Sequence, residues 1–279
     1  MAMKKIAEII IDGVIEKKND TYKQEWILEE IEDLIENKKN AGLLLTIDSP
    51  GGGVYESDEV YLAVKKYKKE TNRPVYAYFK SLAASGGYYI GCAADTIIAN
   101  RNCLTGSIGV SAGRFVDLTK LMENYGVKSE TIHTGKNKTM GSVAVPVTEE
   151  QRQIMQTIAD ECYEQFVGIV SESRKLDVSK VKELADGRIY TASQAKEQGL
   201  VDEVLSYDDA LDFIYEKVFG DKDYKAEVDE HKYEAKKSFI KRLVKDASFE
   251  MGELKTISGL IEKTTKLPFP AYFYENGIF

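Results

Sequence analysis

Leu43-Leu44-Leu45-Thr46-Ile47-Asp48-Ser49-Pro50-Gly51-Gly52-Gly53 sets an aliphatic run directly before a proline and three glycines. A near-continuous apolar run suits a strand buried on both faces, as strands of parallel sheets are. Ile6 to Ile11 repeats the pattern upstream, and Val75 to Phe79, Thr96 to Ala99 and Ser129 to His133 read as further strands. Between them, apolar residues recur at helical spacing: Trp26, Ile27, Ile31, Leu34 and Ile35, then Val60, Val64 and Tyr67. Strand and helix in alternation predict an α/β fold, its parallel strands joined by crossover helices.

Downstream, Thr148 with Gln151 spells a capping box just after Pro146. Ile154, Ile158, Cys162, Phe166 and Val170 follow at intervals of four, one apolar stripe on a long helix. A shorter helix is expected around Val178 to Ala185, then turn, helix and strand from Gly187 to Val204. Near Phe219 the composition shifts, and Lys, Glu and Asp dominate through Lys245. The expected organisation is one domain over 1–218 and a charged and aromatic C-terminal extension over 219–279.

With 279 residues, 43% of them hydrophobic, the chain can bury a sizeable core. A net charge of −8 argues against nonspecific nucleic-acid binding, which needs a basic face for phosphates. Cys92, Cys103 and Cys162 are too scattered for a disulfide framework or a zinc site. Cys92, in a run of small residues, and Cys162, on an apolar helix face, read as buried thiols. No stretch reaches the roughly 18 apolar residues of a membrane span, and Met1-Ala2-Met3 leads almost at once into a strand.

Three glycine-bearing segments each follow an expected strand, where α/β folds place their sites. The loop Asp48 to Gly53 can aim bare N–H groups at one spot, as an oxyanion hole requires, or it is an ordinary strand-to-helix turn. In Ala83-Ala84-Ser85-Gly86-Gly87-Tyr88-Tyr89, small neighbours would let a carbonyl reach the Ser85 hydroxyl; alternatively Ser85 only caps a helix. The third segment, Thr134 to Ser142, carries Lys136 and Lys138, and loop lysines are ordinarily solvated. A nucleophilic serine needs a base. Of two histidines, His231 reads as part of a solvated charged face and His133 as packed or at a strand edge. Lysine is the alternative, because desolvation can lower its pKa toward neutrality.

Ser49-Pro50-Gly51-Gly52-Gly53, Ala83 to Tyr89 and Leu104-Thr105-Gly106-Ser107-Ile108-Gly109-Val110 together resemble the bacterial signal peptide peptidase A family. The loop Gly135 to Ser142, Ala185-Asp186-Gly187-Arg188-Ile189-Tyr190 and the stretch Gln194 to Asp202 extend the match, which runs from about Ile6 to Asp212. The resemblance implies a ClpP/crotonase-like fold and a Ser/Lys dyad serine protease. Ser85 would be the nucleophile and Lys138 the base, with Ser107 bonded to the lysine and the Gly52 and Gly86 N–H groups as oxyanion hole. Thr139 and Val143 depart from the Asp and Pro common in the family, which leaves Lys136 as a second candidate base. The related ClpP proteases use a histidine, and Val110 stands where it would fall.

The resemblance further implies peptide substrates, signal peptides left after export, and no cofactor or metal. In the family the serine and lysine of one site come from different domain copies, so a single-copy chain implies a homo-oligomer with shared sites. A membrane association would run through a segment absent from this chain, on the extracytoplasmic face; without one the location would be cytoplasmic. Two other readings are open: a crotonase-like acyl-CoA enzyme, and a non-catalytic oligomeric scaffold. The tail Leu267-Pro268-Phe269-Pro270-Ala271-Tyr272-Phe273-Tyr274 is expected to be extended and to dock, either on its own domain or in a neighbouring subunit's substrate groove.

Overall fold

The computed structural model describes residues 4–221 and 228–234, and the backbone of 271–273. Its strands are β1 (Lys5–Asp12), β2 (Asn40–Ser49), β3 (Gly51–Gly53), β4 (Val75–Ala84), β5 (Thr96–Ala99), β6 (Leu104–Gly106), β7 (Ile189–Thr191), β8 (Glu203–Val204), β9 (Asp229–His231) and β10 (Ala271–Phe273). The helices are α1 (Gln24–Glu36), α2 (Val54–Thr71), α3 (Gly86–Gly91), α4 (Thr119–Asn124), α5 (Glu149–Arg174), α6 (Val178–Leu184), α7 (Ala192–Glu197) and α8 (Tyr207–Phe219).

Strands β1, β2 and β4 form the centre of a parallel sheet, with β9 beside β1 and both β5 and β6 beside β4. Alternate side chains of β2 enter different cores. Leu43, Leu45 and Ile47 join the one packed by α1, α2, α3 and the end of α5; Leu44 meets Tyr76, Ile98 and the α8 residues Ala210 and Ile214. Each fully buried aliphatic side chain of this kind contributes about 1.5–3 kcal/mol. One carboxylate is buried as well: Glu8 accepts from Thr46 Oγ1 at 2.5 Å and from the Tyr207 hydroxyl at 2.7 Å. Those bonds offset the cost of removing it from water.

Strand β4 decides where the site sits. It pairs with β5 as far as Phe79 and with β6 from Leu82 onward. On its other side Ile47 faces Phe79, yet the next partnered residue, Ser49, faces Ala83. Extra residues therefore bulge from β4 between those pairs, and a bulge bends and twists its strand. The Asp48 carboxylate fills the opening, accepting from the Ser81 hydroxyl and from the Leu82 N–H at 3.1 Å.

Several expectations change. Ser129 to His133 is exposed and forms no strand. The chain has left the sheet there, so that segment has no edge to pair with. On α5 the capping box forms, but only the far half of the stripe is sunk: Phe166 and Val170 are buried, whereas Ile154, Ile158 and Cys162 are half-exposed. The segment expected as a turn before α7 contains β7, antiparallel to β6. His231 lies half-buried on β9 with Nδ1 2.7 Å from Glu30, not on a solvated face. Most of the charged stretch and of the tail from Leu267 lies outside the described residues.

Candidate active site

Ser85 closes β4 and precedes α3, at φ +52° and ψ −117°. Its N–H donates to Gly106 O at 2.8 Å and its carbonyl accepts the Tyr89 N–H at 2.9 Å. Its side chain makes no capping bond, which removes the reading of Ser85 as a mere helix cap. The residue is 1% exposed, and its Oγ has no hydrogen-bond partner among the described residues. Four described non-glycine residues have positive φ. Asn72 and Lys175 end helices in the left-handed conformation. The other two are Ser85 and Ser107. Such backbone costs about 1–3 kcal/mol per residue and collects at functional sites.

Ser107 is beside Ser85 because β4 pairs with β6 through Ala84 and Gly106. Its N–H donates to Arg188 O at 2.8 Å, and the residue is 6% exposed. Arg188 in turn makes an exposed ion pair with Asp186. The Arg188 guanidinium bonded to that carboxylate lowers it to about 2.

The glycine loop lies against the serine corner. A Cβ on Gly86 would sit 3.2 Å from Gly52 N and 3.3 Å from Gly51 Cα, and would collide with Ser57 Oγ. Gly86 opens α3, so its N–H has no intrahelical acceptor. A Cβ on Gly52 would lie 1.8 Å from Ile15 O, so no side chain fits there. Helix α3 is buried throughout and tied down by its tyrosines. Tyr88 donates to Leu200 O at 2.8 Å; Tyr89 donates to Asp58 at 2.6 Å and accepts from Gln165 at 2.7 Å.

Residues 111–148 form a lobe that buries none of its side chains fully. Leu121, Tyr125, Val127 and Ile132 all face solvent. Lys138 sits on this lobe, exposed and with no hydrogen bond to Ser85. Lys136 is engaged in an ion pair with Glu150 at 2.7 Å. His133 is exposed, its Nδ1 3.2 Å from Gly135 O. Ser85, Ser107, Gly52 and Gly86 thus meet at one corner, with no hydrogen bond from Lys138 to the Ser85 hydroxyl. Sequence reasoning missed Asp48 and Ser57, which hold this corner; the Asp directly before Ser49-Pro50 was the available signal.

The sequence profile of peptidase family S49 matches residues 67–218. The chain belongs to this family. It is 39% identical over 218 residues to a candidate signal peptide peptidase SppA of Enterococcus faecium, covering 76% of this chain and 63% of that one. A candidate protease of Synechocystis is 41% identical over 207 residues, covering 74% of this chain and 72% of that one. The chloroplastic serine protease SPPA of Arabidopsis thaliana is 35% identical over 195 residues, 70% of this chain and 28% of that one. The S49 chain thus spans less than two thirds of its Enterococcus relative. Among solved structures, a ClpP1 mutant of Listeria monocytogenes superposes with a TM-score of 0.50 at 16% identity, covering 72% of this chain and 92% of that one. The fold of this S49 chain is ClpP-like. Among the described residues no cluster of His, Cys, Asp or Glu is placed to hold a metal ion. Nor, among them, is any helix long and apolar enough to cross a membrane.

Proposed function

We propose that this chain is a serine endopeptidase with a Ser/Lys dyad, Ser85 of one copy working with Lys138 of another. The observation that carries the reading is the unpartnered Ser85 Oγ on strained backbone, with the Gly86 N–H next to it and Gly52 N at its side. Ser85 Oγ attacks a peptide carbonyl as its proton passes to the neutral lysine amine. The tetrahedral oxyanion is taken up by the Gly52 and Gly86 N–H groups. Collapse expels the peptide amine, which receives the proton from the lysine, and water then hydrolyses the acyl-serine by the same path. The Ser107 hydroxyl holds the lysine in line.

The lobe supports the second copy, since it carries Leu121, Tyr125, Val127 and Ile132 exposed with no side chain fully buried, apolar surface that a neighbour could cover. A lobe seated on a neighbour would deliver Lys138 where its own chain does not. The substrates are apolar peptides, of which signal peptides left after export at the membrane are the natural source. Fluorophosphonate labelling separates this reading from an acyl-CoA enzyme or a scaffold of the same fold. Labelling should fall on Ser85 and vanish in Ser85→Ala; an unlabelled wild type would reject the peptidase.

A further inference from the structure

Helix α5 connects the lysine lobe to the serine corner. Its far end is sunk in the core that also holds Tyr88 and Tyr89: Phe166, Val167 and Val170 are buried there. Its first turn meets the loop ahead of Lys138, where Glu150 pairs with Lys136 at 2.7 Å and Gln151 Nε2 lies 3.5 Å from Asn137 Oδ1. The helix is therefore an arm, clamped at one end and carrying the lobe at the other. From Glu150 to Gln165 that arm is about 22 Å long, at roughly 1.5 Å per residue, and a tilt of about 5° would carry its tip about 2 Å. A misplacement of roughly 1 Å at reacting groups can cost about 10²-fold in rate.

The angle of the arm is set at the Tyr89 hydroxyl. Tyr89 is fully buried on α3, one helical turn after Ser85, whose carbonyl accepts its N–H at 2.9 Å. The hydroxyl donates to Asp58 Oδ1 of α2 at 2.6 Å and accepts from Gln165 Nε2 of α5 at 2.7 Å. One oxygen thus ties the helix after the nucleophile, the helix after the glycine loop and the helix that carries the lysine lobe. The exposed pair of Glu172 with Lys65 and the Arg174–Asp202 bond lie beyond it, toward the clamped end. The ring itself rests on Phe166 of α5 and Tyr61 of α2, with centroids 5.0 and 5.5 Å away. Phenylalanine would keep those ring contacts. What the hydroxyl adds is direction, since a hydrogen bond weakens steeply away from its preferred line. We infer that Tyr89, through Gln165, is a positioning residue for Lys138: it fixes the angle at which each copy presents its lysine lobe to another copy's serine. This rests on the shared Ser/Lys dyad proposed above. Tyr89 then sits beside its own chain's Ser85 yet serves the site that its own chain's lysine enters.

The test mixes Ser85→Ala chains, which supply the lysine, with Lys138→Ala chains, which supply the serine. Tyr89→Phe or Gln165→Ala is added to one chain type at a time, and kinetics on an apolar reporter peptide are read where assembly is complete. In the lysine-supplying chain either change should lower kcat about tenfold at unchanged KM, a part of the roughly 10²-fold that 1 Å can cost. In the serine-supplying chain the same change should match the mixture without it. Gln165→Ala alters an exposed side chain and keeps the Tyr89–Asp58 bond, so it decides the matter should Tyr89→Phe fail to fold. A loss that follows the serine-supplying chain, that arises equally from both, or that is absent from both overturns the inference. A starting mixture that stays inactive despite mixed assembly removes the shared dyad first, and the positioning role with it.

Discussion

The corner at Ser85 and the lobe at Lys138 are built to different standards. At the corner α3 is buried along its whole length, and Ser85 is held at positive φ by the strand before it and the helix after it. The lobe of residues 111–148 has a single short helix, α4, none of whose residues is buried, and Ile132 is 98% exposed. The corner is over-determined within one chain, as strained backbone must be to persist. The lobe is under-determined, since few buried contacts oppose its local opening. A catalytic lysine needs a dry, fixed position as much as the serine does. On the proposed dyad, a second surface closing over the lobe would supply that.

The largest effect should come from separating the two halves. Lys138→Ala is expected to lose peptidase activity by about 10²–10⁴-fold, the range for a missing proton-transfer group, and Ser85→Ala, which removes the nucleophile itself, by about 10⁶-fold. Lys136→Ala, whose ion pair with Glu150 is exposed, should stay within about twofold. Mixing the two inactive variants should restore activity, because some sites would then pair an intact serine with an intact lysine. A mixed oligomer, verified by differential tagging, that remains inactive would break the comparison: serine and lysine would then belong to one chain.

The corner was far more legible in the sequence than the lobe. Continuous apolar runs at Ile6 to Ile11 and Leu43 to Ile47 can hardly be anything but central strands, and both are. The Thr148 capping box was readable because it is local chemistry, complete within four residues. Ser129 to His133 misled because β-branched residues on an exposed lobe look like strand residues until one asks what they would pair with. The bulge in β4 was hidden for the opposite reason. Lys80, Ser81 and Leu82 carry no bulge signature, and the cause lies on the neighbouring strand, where Asp48 accepts from Ser81 and Leu82. β9 was invisible as well, since a short strand from a charged stretch exists only by virtue of the edge it meets; for β10 the prolines and aromatics of the tail signalled an extended, docking segment but not the edge it pairs with.

A smaller effect tests whether the lobe is an interface. Ile132→Glu puts a charge on a side chain that touches almost nothing in one chain, so folded stability should stay within about 0.5 kcal/mol of wild type. If that side chain is buried by a second copy, the same change should weaken assembly by about 2 kcal/mol, roughly thirtyfold in association, and lower activity in step at dilute protein. Raising the protein concentration should recover the activity. Unaltered activity and assembly would leave the lobe as ordinary surface and return Lys138 to the problem of how it reaches any serine.

The smallest effect concerns the floor of the corner, and thiols report on it. Cys92, the residue that ends α3, is buried, and its thiol is pushed up to about 12 by that burial, against a smaller opposing pull from the Arg174 charge. Burial likewise raises Cys103 to about 12. Cys162 sits half-exposed on α5, raised first by partial burial and then by Glu161. Only a thiolate that reagent can reach is alkylated. Iodoacetamide at pH 8 should therefore modify Cys162 first, leaving Cys92 and Cys103 to react no faster than the protein unfolds. The same groups set a sign for pH. An unfolded cysteine ionises near 8.5, so between there and about 12 the unfolded chain has lost protons that the folded chain keeps. Stability is intact below about 8.5 and falls as pH rises, by about 1 kcal/mol for Cys92 at pH 9.5. Cys92→Ala should start less stable at pH 7 yet decline less steeply toward pH 9.5 in thermal melts. Equal slopes, or equal alkylation of all three thiols, would mean that water reaches beneath α3 and that the corner is no better sealed than the lobe.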